Sequence, residues 1–287
     1  MLQNNSTTSN TLNRLNDIFF KYLLGSEERK AYTLNFLNTI LDLSGDNAFK
    51  DLTFNNKEQS PLYVEGKSSI LDILATTNTG TIINIEVQVC KDEYMAERAL
   101  YYWSRIYGMQ LQKGSAYDTL HPVISLILMD FNYFKNYQEC HQSYHICNDV
   151  HKNDVLTPQF NMHFIELEKI TFTDIKQLKQ SDCWIAYFSK RVSDVERKEL
   201  AKMDPILKEV LKSEQRFMLN PQLFYEYEAR EKAIRDEISR IKSAERRGEI
   251  KTQEAVIKNA LALNLDNETI MKLASCSLED INRVKED

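Results

Sequence analysis

A β-hairpin predicted between Ser68 and Cys90 constrains the fold of this chain more than any other stretch. Two runs rich in Ile, Val and Thr flank the tripeptide 78–80, whose sequence is Asn-Thr-Gly. This pattern is typical of two antiparallel strands joined by a short loop. Gly80 can adopt the positive φ angle that the loop needs, because it has no Cβ atom.

The same hairpin is expected to bring two carboxylates together. If Thr77 faces Thr81 across the loop, counting back along both strands places Asp72 opposite Glu86, with Gln88 on the same face as Glu86. Directly opposed side chains have Cβ atoms about 5 Å apart. Carboxylates this close repel each other, and the surrounding Ile and Val residues predict burial, so a divalent cation is the simplest compensation. The alternative is a pair of polar residues on an exposed face, which the apolar neighbours on that face disfavour.

The rest of the chain has a mixed pattern first and a purely helical pattern after Phe172. Outside the hairpin, the predicted strands are Leu52–Asn55, Val123–Met129, Ser143–Cys147 and Met162–Leu167. The predicted helices include residues 17–24, a helix capped by Ser26, residues 92–113 and the charged segment 229–247. Residues 1–15 are predicted to be a disordered tail, and residues 191–287 an all-helical C-terminal region with short helices capped by Asp266 and Ser277.

Composition limits the class of protein and its compartment. The five Cys residues are scattered and odd in number, which indicates a reducing compartment rather than a disulfide framework. No apolar run approaches the ~20 residues of a membrane span, and residues 1–11 lack the pattern of a secretory signal. We therefore expect a soluble, cytoplasmic protein without a membrane partner. The net charge of −6 lowers the expected strength of non-specific DNA binding.

Five blocks of sequence, taken in order, carry a family resemblance. They are the segment 16–21, the hairpin ILDILATTNTG-TIINIEVQV, the segment RALYYWSRIYGMQLQKG from Arg98, HPVISLILMDFNYF from His121, and HFIELEK from His163. Together they resemble the recombination-promoting nuclease (Rpn)/putative transposase family over about residues 16–190. Within the hairpin, an Asp followed by Glu-x-Gln is similar to the signature of the PD-(D/E)XK nuclease superfamily, with Gln88 at the usual Lys position.

The resemblance implies both a fold and a chemistry. The expected fold is α/β, with a restriction-endonuclease-like core at residues 16–190 in which helices flank a central mixed sheet. The expected metal ligands are Asp72, Glu86 and the backbone carbonyl of Val87, which suit Mg²⁺ or Mn²⁺ as oxygen donors. Gln88 would orient water or phosphate, although it can only form hydrogen bonds, where Lys would add a charge. Alternatively, Gln88 is a neutral partner that holds Glu86 in place.

Four further residues are candidates for the site. Asp17 and Lys21 lie one helical turn apart and share a face, and the resemblance implies that Asp17 is an additional acidic residue and Lys21 a phosphate contact. A surface ion pair is the alternative. Arg98, on the helix after the second strand of the hairpin, is a candidate phosphate contact. Glu65, upstream of the hairpin, is a weaker candidate acid and more typical of a loop residue.

A zinc site is disfavoured. Cys and His residues cluster between positions 140 and 151, but they lack the paired spacing of zinc ligands. These residues are Cys140, His141, His145, Cys147 and His151.

The sequence leads to two hypotheses for function. The first is a Mg²⁺-dependent DNA endonuclease of the Rpn type. The second is a catalytically silent nuclease-fold protein that binds DNA or protein and assembles, as a homo-oligomer or with a protein partner, through its charged C-terminal helices. Gln88 and the acidic net charge favour the second hypothesis, whereas the opposed carboxylates favour the first.

Overall fold

The computed structural model describes residues 12–55 and 72–286. The chain forms two compact units, which divide between Arg230 and Glu231. The first unit contains a six-stranded mixed sheet with flanking helices, and the C-terminal region is helical. This architecture confirms the predicted restriction-endonuclease-like α/β fold. The predicted boundary at residue 190 stays a prediction, as does the disorder of residues 1–11, which lie outside the described residues.

Six strands form the sheet in the order β1-β2-β3-β4-β6-β5. The central strands β3, β4 and β6 are parallel, and the other pairings are antiparallel. The strands are β1 (Leu52–Phe54), β2 (Ile73–Thr77), β3 (Ile82–Gln88), β4 (Val123–Met129), β5 (His141–Tyr144) and β6 (Phe160–Glu166). The near-continuous apolar run in β4 has the burial expected of a parallel strand that is covered on both faces.

Strands β2 and β3 form the hairpin that the sequence predicts. The backbone N–H of Thr77 donates to the carbonyl oxygen of Thr81 at 2.9 Å, and Ile73 pairs with Ile85. Gly80 has a φ angle of +84°, as its place in the loop requires. The register is therefore the one derived from the loop length, and it positions every side chain of both strands.

The helices follow the predicted pattern in part: Ser26 makes no side-chain cap and precedes a short 3-10 turn, and the predicted helix 229–247 lies within a longer helix. They are α1 (Asp17–Leu24), α2 (Lys30–Ile40), α3 (Met95–Gly108), α4 (Gln180–Phe188), α5 (Asp194–Met203), α6 (Pro205–Leu219), α7 (Pro221–Ala262), α8 (Asn267–Ala274) and α9 (Leu278–Glu286). The helix predicted over 92–113 is shorter at both ends, and beyond its C-terminal end the side chain of Gln110 pairs with both backbone groups of His121. Among the described residues, no helix is both long enough and apolar enough to span a membrane.

The sheet separates two apolar layers in the first unit. Alternation along β3 directs Ile83 and Ile85 into the larger core, which also contains buried residues of α1, α2, α4 and α6. On the opposite face, Ile82 packs with Ile106 of α3. Because Asn84 and Glu86 share the face of Ile82, these two polar side chains lie on the α3 side of the sheet.

Residues 12–15, which fall within the predicted tail, pack into the core of the first unit. Leu12 and Leu15 are buried in the larger core. The guanidinium of Arg14 forms a buried ion pair with Glu214 of α6 at 2.5 Å. Burial of two Leu side chains favours order at these positions.

The second unit has an apolar cluster of its own. Its buried members are Ile257, Ala260, Ile270, Ile281 and Val284. The side chain of Asp266 caps α8 by accepting a hydrogen bond from the backbone N–H of Thr269, as the sequence predicts.

Candidate functional site

The hairpin places two acidic residues together at the end of β2 and β3. Continuing the observed register by one residue beyond the Ile73–Ile85 pair places Asp72 opposite Glu86. Glu86 is 5% exposed, and the side chain of Asp72 is 11% exposed. Two carboxylates are thus held side by side with little access to bulk water, as the sequence led us to expect.

Burial dominates the electrostatics of Glu86. Desolvation raises the pKa of Glu86 above its ordinary value, and the neighbouring Asp72 carboxylate raises it further. A hydrogen bond from the Asn84 amide, 2.9 Å from Oε1, opposes this rise in pKa, as does the charge of Arg98. Gln88 contributes a weaker opposing contact, with its Nε2 3.4 Å from Oε2. The ionised form of Glu86 is therefore costly in this site.

Asp72 is held from two directions. The backbone N–H of Val87 donates to Oδ2 at 2.8 Å, and the ammonium of Lys21 lies 3.3 Å from Oδ1. Burial raises the pKa of Asp72, and both of these contacts oppose the rise. Lys21 thus reaches from α1 to the end of the hairpin.

Helix α1 contributes an ion network rather than an isolated pair. Lys21 lies 3.5 Å from Asp17 Oδ2 as well as close to Asp72, while the guanidinium of Arg230 lies 2.7 Å from Asp17 Oδ1. Asp17 therefore positions Lys21 beside Asp72, with Arg230 on its other oxygen. Sequence reasoning missed Arg230, which lies 213 positions from Asp17 and has no local signal that links it to the site.

Arg98 belongs to α3, which packs on the face of the sheet that carries Glu86. Its charge lowers the pKa of Glu86, and its Nη1 lies 4.0 Å from a carboxylate oxygen of Asp92. Its guanidinium lies 5.6 Å from the centroid of the Tyr102 ring, within the range of a cation–π contact. The site therefore has positive side chains from two helices, Lys21 beside Asp72 and Arg98 near Glu86.

Asn84 is a second residue that sequence reasoning missed. It is 1% exposed and donates to Glu86 through its amide, while its Oδ1 is buried without a hydrogen-bond partner among the described residues. The hydroxyl of Ser125, which is opposite Asn84 on β4, is likewise buried without a hydrogen-bond partner among the described residues. A signal was available, since Asn84 is a polar residue within an apolar strand and shares the face of Glu86.

The donor set fits a hard divalent cation. Within residues 12–55 and 72–286, no group of three or more His, Cys, Asp or Glu side chains is arranged to hold a metal. The site instead offers two adjacent carboxylates whose ionised forms are destabilised by burial. Mg²⁺ is commonly bound through one or two carboxylates, with waters and substrate phosphates completing its coordination. The carbonyl of Val87 stays a predicted ligand, and Glu65 lies outside the described residues.

His141, one of the residues considered as a zinc ligand, pairs with His163, which was not among them. Nε2 of His141 lies 2.9 Å from Nδ1 of His163, so the two rings share a hydrogen bond across β5 and β6. Burial and the neighbouring imidazoles lower the pKa of His163 to about 3. This pair lines a separate cleft of about 1030 Å³ on the face of the sheet away from α3.

Comparison with known protein families gives a match over most of the chain. A family model described as PD-(D/E)XK nuclease family transposase matches residues 14–244, a range that includes α1, the hairpin and α3. No curated protein and no solved structure matches the chain.

Proposed function

Because the chain belongs to the PD-(D/E)XK nuclease family transposases, we propose that it is a metal-dependent DNA endonuclease in which Asp72 and Glu86 bind Mg²⁺ or Mn²⁺. The observation that carries this proposal is the buried, opposed carboxylate pair at the end of the hairpin. Such a pair costs free energy unless a cation offsets its charge. DNA is the substrate that the family implies.

The side chains around the pair have separable roles in this proposal. Asp72 and Glu86, with the carbonyl of Val87, hold the cation. A bound divalent cation polarises a phosphodiester and lowers the pKa of an attacking water. Gln88, 3.4 Å from Glu86, orients the water or a phosphate oxygen by hydrogen bonding. Asn84 fixes the orientation of the Glu86 carboxylate.

The cationic side chains bind the substrate backbone. Lys21 lies beside Asp72 and Arg98 lies near Glu86, so both can contact the phosphates that flank the cleaved bond. Asp17 is assigned to the site as the acidic residue that holds Lys21. Because Gln88 carries no charge, the stabilisation of the transition state falls to the cation and to these two residues.

Cleavage of supercoiled plasmid DNA tests the proposal. With Mg²⁺ or Mn²⁺, the wild type should nick the plasmid, and Asp72→Asn or Glu86→Gln should reduce the rate by roughly 100-fold or more, the order of effect of removing one key electrostatic group. Asp118→Asn is the matched control, since it removes one negative charge at an exposed position outside the site. Cleavage that persists in both site variants would refute the assignment of these residues.

A specific contact favours a second candidate, a catalytically silent binding or assembly module. The ammonium of Lys21, 3.3 Å from Asp72, already compensates part of the charge that a cation would neutralise. This candidate predicts no metal-dependent nicking, together with self-association or protein binding through the C-terminal helices. Sedimentation of the full chain and of a chain ending at Arg230 tests it, and an unchanged monomer in both would count against assembly through that region.

A further inference from the structure

Two exposed tyrosines and two half-buried arginines line one side of helix α3 and its N-cap, and the proposed chemistry uses only Arg98 among them. Tyr94, Arg98, Tyr101 and Arg105 are spaced by four, three and four residues, so they lie along one side of the helix. Tyr94 is 70% exposed and Tyr101 is 54% exposed. We call these four residues the α3 stripe.

The rings of the α3 stripe are supported from within the helix. Arg105 donates from Nη1 to the hydroxyl of Tyr101 at 3.3 Å, and its guanidinium lies 5.9 Å from the centroid of that ring. The ring of Tyr102 packs edge-on against Tyr101 at 5.5 Å. Tyr101 therefore presents a supported aromatic surface, which lowers the entropy lost when a ligand stacks on it.

The α3 stripe passes close to the carboxylate pair at Arg98. Arg98 is close enough to Glu86 to act on its carboxylate, and Tyr94 immediately precedes the first turn of α3. Since an α-helix rises by about 1.5 Å per residue, the distance from Tyr94 to Arg105 is about 16 Å. A ligand on the stripe would therefore extend from the candidate site along the helix for several nucleotides.

We propose that the α3 stripe binds single-stranded DNA, with unpaired bases stacked on Tyr94 and Tyr101 and backbone phosphates at Arg98 and Arg105. Exposed aromatic rings that alternate with cationic side chains suit this ligand, because bases stack on the rings while the cations follow the phosphates. A base inside a duplex has both faces covered and cannot stack in this way. This inference rests on the proposed function, since it supplies the route by which a strand reaches Asp72 and Glu86.

Fluorescence anisotropy with the full-length protein in EDTA tests the α3 stripe without requiring cleavage. The probes are a labelled oligonucleotide and a duplex of the same sequence. The single strand should bind more tightly than the duplex, and Tyr94→Ala or Tyr101→Ala should each weaken its binding by at least about fivefold, the lower limit for one stacked base. Tyr101→Trp should bind as the wild type does. Tyr117→Ala is the matched control, because Tyr117 is 81% exposed but lies outside α3, and it should have no effect.

The outcomes separate this inference from the proposed function. Alanine variants that bind the single strand as tightly as the wild type would overturn it, as would equal affinity for the duplex. Sedimentation that shows the tyrosine variants to dissociate an oligomer, with DNA affinity unchanged, would assign the surface to a second copy and would also overturn it. Strand binding that depends on the tyrosines, in a protein that cuts no DNA, would support the α3 stripe and refute only the endonuclease.

Discussion

Replacing Glu86 with Gln removes one charge from the carboxylate pair and leaves the volume of the side chain nearly unchanged. Two unit charges about 5 Å apart repel by about 3 kcal/mol at an effective dielectric constant of 20. Because the charges of Lys21 and Arg98 offset part of this repulsion, we expect a gain in the free energy of unfolding of about 1–3 kcal/mol without metal. The melting temperature should rise by roughly 3–10 °C.

The surroundings of Glu86 can accept the new amide. Its carbonyl oxygen can take the hydrogen bond from Gln88, and its NH₂ group would then face Asn84. The Asn84 amide can rotate to present Oδ1, which has no other partner in the described part of the chain. The rotation moves the Asn84 NH₂ group into the place of Oδ1, so the number of unpaired buried polar groups at Asn84 stays the same.

The gain should depend on pH in a defined direction. Burial raises the pKa of Glu86 above its ordinary value of 4.5, so protonation of this residue stabilises the folded wild type. That stabilisation is complete below the unfolded pKa and is lost as the pH rises through the folded pKa. The free energy of unfolding of the variant should consequently equal that of the wild type at low pH. It should exceed the wild-type value increasingly as the pH rises toward about 8.

Thermal unfolding followed by circular dichroism measures the gain in stability and its dependence on pH. The measurement is made in EDTA and then in Mg²⁺. A cation at about 100 times its dissociation constant stabilises the wild type by about 2.7 kcal/mol, and the variant should gain much less. The matched control is Glu214→Gln, which breaks the buried pair with Arg14 and should lower the free energy of unfolding by about 3–5 kcal/mol. A Glu86 variant that is less stable than the wild type at about pH 8 in EDTA, or that gains equally from Mg²⁺, would refute the reasoning.

Three further predictions concern the neighbours of the pair. Lys21→Met should lower the free energy of unfolding by about 1 kcal/mol near pH 8. The loss should be smaller at lower pH, because Asp72 is then protonated. Urea unfolding at two pH values measures this difference, and an equal loss of free energy at both pH values would contradict the prediction. Gln88→Lys should raise the rate of Mg²⁺-dependent plasmid cleavage by about tenfold, because the added charge can stabilise the transition state. An unchanged or lower rate would argue against a role of position 88 in the chemistry. Arg230→Ala should change the free energy of unfolding by less than about 1 kcal/mol in the same urea assay, because its side chain is 46% exposed, and a larger loss would show that the ion network of α1 is structural.

Local patterns were sufficient for much of the fold. The loop at Gly80 and the alternation of side chains fix the register of β2 and β3, since a slip of one residue would turn every side chain to the opposite face. The apolar run of β4 predicted Val123–Met129 to the residue. The predicted helix over 92–113 was too long at both ends, and beyond its C-terminal end the chain is held by a contact between Gln110 and His121, 11 positions apart.

The sequence by itself determined the pairing of Asp72 with Glu86, because a short loop and a period of two residues are enough to set which side chains face each other. Only the tertiary structure decided how the positively charged side chains are arranged around this pair. Lys21 reaches Asp72 because α1 packs near the end of the hairpin, and Arg230 reaches Asp17 across 213 positions of chain. Such contacts depend on how helices pack on a sheet, and the pattern within any single segment does not contain that information.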